Sequence, residues 1–128
     1  MIRHLLIVFA FAGILACSTT DDSPQLNGTW IWTRTTGGIA GLDQTPESTD
    51  NIQKLEITSE NITYFVNGEK TNTTPYTLEV RTSGIYQKEV PMLIFENGNQ
   101  LIYALNKDTL TLTDDLVDGF MHSYTRER

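Results

Sequence analysis

Cys17, His122 and the acidic run Asp114, Asp115 and Asp118 are the residues of this chain best equipped for chemistry. A cysteine thiolate can attack a carbonyl, ligate a metal or carry an acyl group. With one cysteine in 128 residues, no internal disulfide and no thiolate metal cluster can form. His122 could move protons at neutral pH, but no Ser, Cys or carboxylate motif accompanies it. It reads as a residue of a strand. Asp114, Asp115 and Asp118-Gly119 offer oxygens to a calcium ion, yet their spacing lacks the every-second-residue pattern of a calcium loop, and they read as a solvated turn. Asn27, Asn61 and Asn72 each open an Asn-x-Thr triplet, which we read as chance. No nucleophile elbow, phosphate-cradling glycine loop or metal-ligand set is present, so the chain calls for no cofactor and no metal, and catalysis is not expected.

The position of Cys17 gives it a use. Met1 to His4 form a short basic start, Leu5 to Ala16 run apolar, and Leu15-Ala16-Cys17 closes the run. Twelve residues rise about 18 Å as a helix against roughly 30 Å of hydrocarbon, too short to span and the right shape for a secretory signal. The segment Gly13-Ile14-Leu15-Ala16-Cys17 resembles the lipobox of bacterial lipoproteins. That resemblance implies cleavage after residue 16 and acylation of Cys17, the route by which this protein would meet a membrane. Ser18 to Gln25 (STTDDSPQ) is polar and reads as a tether. Ser18 after the cysteine suits sorting to the outer membrane of the cell envelope, and Asp21-Asp22 resembles the acidic surface-export signals of Bacteroidetes lipoproteins. The chain therefore divides into a signal (1–16), a lipidated cysteine and tether (17–25) and a domain (26–128).

Charge narrows the partners. Nine basic against sixteen acidic residues give −7, and loss of Arg3 with the signal leaves −8. That balance excludes nucleic acid, which rewards basic surfaces, and electrostatic docking on anionic lipid. It would suit steering toward a basic protein.

The domain that must position these residues shows period-two patterning with no sustained helical repeat. Leu26 to Thr35 reads as a first strand, with Leu26, Gly28, Trp30 and Trp32 on one face. Gly37 to Asn51 reads as a long loop, the candidate functional loop. Gln53–Ser59, Asn61–Val66, Pro75–Thr82, Glu89–Glu96, Gln100–Leu105, Thr109–Thr113 and Phe120–Arg126 complete eight strands, with hairpin turns at Asn67-Gly68 and Asn97-Gly98. Tyr76, Leu78 and Val80 share a face. The expected fold is all-β: an eight-stranded antiparallel up-and-down barrel, since closure removes exposed edges. Such a barrel is either filled by its own side chains or holds one small ligand.

Gly28-Thr29-Trp30 opens the first strand and Tyr124-Thr125-Arg126 closes the last. This pairing resembles the lipocalin pattern, and the chain as a whole is similar to the lipocalin-like domains of Bacteroidetes lipoproteins. The resemblance implies that Gly28, Trp30 and Arg126 close one end of the barrel, with the guanidinium stacked on the indole. It implies a small apolar or amphipathic ligand entering opposite Trp30, with Trp32, Tyr64, Tyr76, Tyr103 and Phe120 as candidate lining residues. The alternative is a filled barrel that presents its long loop and acidic surface to a protein partner, such as a basic wall-degrading enzyme.

Overall fold

A computed structural model describes residues 23–128; Cys17 and the signal lie outside the described residues. Nine strands and two single-turn helices follow in the order α1 (Ser23–Leu26), β1 (Gly28–Gly37), β2 (Leu42–Gln44), α2 (Pro46–Thr49), β3 (Gln53–Ile57), β4 (Asn61–Val66), β5 (Glu69–Thr82), β6 (Glu89–Phe95), β7 (Gln100–Asn106), β8 (Thr109–Asp114) and β9 (Phe120–Arg126). Every strand pairs antiparallel with its neighbour, and β1 also pairs with β9 from Trp30↔Arg126 to Gly37↔Phe120. That last pairing closes eight strands into the expected barrel. Among the described residues, no helix is long and apolar enough to cross a membrane.

Inward residues follow the period-two pattern. Trp30, Trp32, Leu55, Ile57, Ile62, Tyr76, Leu93, Tyr103, Leu110, Leu112 and Tyr124 are buried together, joined by Leu26 from α1. Asn67 and Gly68 both adopt positive φ (50° and 82°), the conformation a two-residue hairpin needs to match strand twist. Here the turn joins β4 to β5.

Four expectations need correction. The 37–51 segment is not a bare loop: residues 35–37 of β1 pair with β2, and Thr45 caps α2 through a reciprocal exchange with Ser48. The fourth strand of the pattern begins at Glu69 rather than Pro75, because β4 pairs with residues 69–75 before β6 takes over at Tyr76. Leu26 is buried from a helical turn rather than from the first strand. Val80 is exposed, because the β5–β6 hairpin runs past the main core.

A second, outer cluster explains that hairpin. Leu93, Leu101 and Tyr103 face the barrel interior, so the alternate residues Met92 and Ile102 face outward. Met92 is nevertheless fully buried with Val90 and Ile102, and Ile85 packs against them. The 83–88 connection thus covers the outside of β6 and β7.

Candidate functional site

One end of the barrel is sealed by residues from both chain ends. The Trp30 indole N–H donates to the Leu26 carbonyl (2.9 Å). The Arg126 guanidinium lies 4.2 Å from the Trp30 ring centroid and donates to the carbonyls of Asn27 (2.8 Å) and Gln25 (2.5 Å). Gly28 sits at φ +141°, and a Cβ there would lie 2.7 Å from Arg126 Nη1. Stacking on the indole satisfies the cation's apolar face, while the carbonyls satisfy its donors. Trp30, Gly28 and Arg126 thus form one structural unit.

The other end is open. A cleft of about 710 Å³ is lined by Tyr64 and Asn72 of the β4–β5 hairpin, Phe95 and Leu101 of β6 and β7, the 97–99 turn and the start of the β8–β9 loop. A smaller recess of about 230 Å³ shares Tyr64 and Asn72 and reaches Tyr124. The volume of the main cleft falls within the roughly 300–1,000 Å³ typical of small-molecule sites. Its floor is apolar and aromatic; its rim is amide and carboxylate.

Electrostatics follow from this burial. Removal from water pushes the phenols of Tyr64 and Tyr124 above the usual range, and the neighbouring Tyr64 adds to the shift of Tyr124. Asp115 is pulled two ways. Partial desolvation raises it, but hydrogen bonds from Gly84 N–H (3.0 Å), the Ser83 hydroxyl (2.7 Å), Ile85 N–H (3.3 Å) and the Gln100 amide (3.2 Å) outweigh this and hold it below the ordinary carboxylate value. Asp114 accepts from Phe120 N–H (3.0 Å). The acidic pair is therefore tied into turns, and among the described residues no group of three His, Cys, Asp or Glu side chains is placed to hold a metal.

Of the residues proposed to line a ligand, Tyr64 lines the cleft. Trp32 is in the packed core, its indole N–H donating to Thr35 (2.8 Å). The Tyr76 hydroxyl donates to the Thr58 carbonyl (2.5 Å). Tyr103 is buried in the core and also lines an outer groove of about 440 Å³ with Val90, Pro91 and Ile102 of β6 and β7. Phe120 is partly exposed at the open rim, against Gly38. His122 sits beneath it, its Nδ1 sharing a hydrogen bond with Thr35 Oγ1 (2.8 Å), which also accepts from the Trp32 indole N–H. Desolvation holds this imidazole below its ordinary value, against the opposing pull of Asp114.

The cleft's polar residues Asn72, Thr74, Asn97 and Asn99 carried no signal of a binding site in sequence, where Asn72 opens an Asn-x-Thr triplet and Asn97 reads only as a turn. They lie in turns and a polar strand, where such residues are common. Comparison with protein-family models, curated proteins and solved structures finds no match.

Proposed function

We propose that this chain is a lipid-anchored envelope lipoprotein whose lipocalin-like barrel binds a small amphipathic molecule at its open end. The cleft over Tyr64, Phe95 and Leu101 carries this reading: it pairs an apolar floor with a polar rim and opens away from the Trp30–Arg126 seal. The lipobox-like segment ending at Cys17 supports the anchor. The deep interior does not supply the pocket, because Trp32, Tyr76 and Leu112 fill it. Binding would therefore occur at the mouth, with the ligand's apolar part against the ring faces.

The test is native mass spectrometry of the protein purified from its own envelope, beside a cleft-filling Asn72→Trp variant. A small-molecule adduct on the parent and not on folded N72W supports the reading. Fully folded parent protein without any adduct, and without affinity for added amphiphiles, would refute it.

One observation favours a second reading, an interaction module. Ile39 at the β1–β2 tip is 90% exposed, and Leu116 and Val117 of the β8–β9 loop are 68% and 91% exposed. The two loops meet, since Gly38 N–H donates to the Gly119 carbonyl (3.3 Å). Apolar tips grouped at one rim suit contact with a partner protein. Under this reading, Ile39→Ser and Val117→Ser would abolish capture of an envelope protein while leaving small-molecule binding intact.

A further inference from the structure

We propose that the cleft at the barrel mouth selects a neutral, hydroxyl-rich headgroup of the sugar or polyol type. This inference rests on the small-molecule reading above and narrows its ligand class.

Several polar atoms of the lining are already engaged. Asp115 accepts from four donors, and Gln100 bridges Asp115 to Arg81, its amide oxygen accepting from Arg81 Nη1 (3.2 Å). Asn97 Oδ1 accepts from Asn99 N–H (2.9 Å). Besides the Asn97 amide nitrogen, the lining side-chain groups left without a hydrogen-bond partner among the described residues are the Tyr64 hydroxyl and the carboxamides of Asn72 and Asn99. All three can both donate and accept. A hydroxyl group does the same, so a polyol can satisfy each of them in turn. A hydrocarbon chain placed here would leave them desolvated and unpaired, at a cost of about 1–3 kcal/mol each.

Charge disfavours an anionic headgroup. No Lys, Arg or His lines the cleft. The nearest guanidinium, Arg81, is occupied by Gln100 and paired with Glu79. A carboxylate or phosphate would face Asp114 and Asp115 with no counter-ion. A cation would be attracted by the same two carboxylates. Neutral donors already take the lone pairs of Asp115, however, so it would gain charge attraction there without matching the amides and the phenol. The cationic probe below is therefore the sharpest test. Tyr64 and Phe95 supply the remaining element, flat rings against which the C–H face of a sugar packs while its hydroxyls reach the amides.

Three probes with one tail and different heads separate the possibilities: octyl β-glucoside, octanoate and octylammonium, each below its micelle concentration. Binding to the full chain carrying Cys17→Ala, so that no attached lipid competes, is followed by calorimetry and by amide shifts. The expected result is that the glucoside binds tightest and shifts the 97–101 and 72–74 amides. Tyr64→Ala and Asn72→Ala/Asn99→Ala should each weaken it about tenfold or more, as loss of one good contact does. Octanoate or octylammonium binding as well as the glucoside, or better, overturns the headgroup proposal but leaves the amphiphile reading standing. No binding by any of the three overturns both.

Discussion

Arg126 is the residue on which two sequence-distant segments depend, because its guanidinium contacts Trp30, Gln25 and Asn27 at once. Arg126→Ala should cost about 2–3 kcal/mol in urea unfolding, combining a lost cation–π contact with two unmet carbonyls. Gly28→Ala acts on the same unit by two routes: an unfavourable φ, and a Cβ pressed on Arg126 Nη1. Its cost, about 1–3 kcal/mol, should shrink in an Arg126→Ala background, because the clash disappears while the φ strain stays. Equal costs in both backgrounds would show that the contact contributes nothing. His122 yields a second prediction at this scale. Its folded pKa is depressed from the ordinary 6.5 by desolvation. Burial favours the neutral ring, so stability is fully present above the unfolded value and is lost as pH falls through the folded one. His122→Gln should flatten the decline of stability below about pH 6.5, the ordinary imidazole value. A parent curve that is flat on the acid side of that value, or a variant that keeps the slope, would rule this out.

At the scale of elements, the β5–β6 hairpin is the part whose stability hangs on one carboxylate. Asp115 gathers the Ser83 hydroxyl and the Gly84 and Ile85 amides, and so holds Ile85 over Met92 on the outside of the barrel. Asp115→Ala should speed hydrogen exchange at Gly84 and Ile85 well before the β1 and β9 amides, with a global cost of about 1–2 kcal/mol. Its folded pKa is depressed, so the pinning is present above the ordinary carboxylate range and fails only as pH falls below it. Uniform acceleration across all strands would contradict a local latch. The elements also show what sequence can reveal. Strands with an apolar inward face, such as Gln53–Ile57 and Thr109–Asp114, were legible because alternate residues are buried. Residues 69–74 (EKTNTT) were not, since both faces meet solvent or the polar cleft and no alternation arises. The Asn67-Gly68 turn was the available signal, for a hairpin turn demands a partner strand on each side. Likewise Thr45-Pro46-Glu47-Ser48 carries an N-cap followed by proline, a helix start hidden inside what composition marks as loop. The outer cluster was illegible for another reason: Met92 and Ile102 look like ordinary strand residues until the hairpin folds back over them.

For the whole molecule, the decisive geometry is that the first described residues and the open cleft lie at opposite ends of the barrel. Gln25 and Leu26 are bonded to the Arg126–Trp30 seal, and the cleft with the Ile39, Leu116 and Val117 tips is at the far end. If Cys17 carries lipid, six residue steps separate it from Ser23, a reach of roughly 20–22 Å when fully extended. The ten residues of β1 run about 33 Å, or roughly 25 Å along the axis of a barrel whose strands tilt by about 40°. A mouth-down posture would lift the closed end farther from the bilayer than this tether reaches. A barrel so anchored would then hold its cleft toward the aqueous space or a facing partner, and direct exchange of a bound amphiphile with its own leaflet would be disfavoured. Acylated protein in vesicles, labelled with bimane at Lys107→Cys near the sealed end or at Val117→Cys on the rim, reads this directly. Quenching by doxyl-labelled lipid should be stronger at position 107 than at 117, and Cys17→Ala should release both from the vesicle fraction without altering the barrel's circular dichroism. Stronger quenching at 117 would mean that the apolar tips enter the bilayer and that the mouth serves the membrane beneath it. Retention of the Cys17→Ala variant on vesicles would remove the anchor from the argument altogether, and with it the reason for the barrel to face outward.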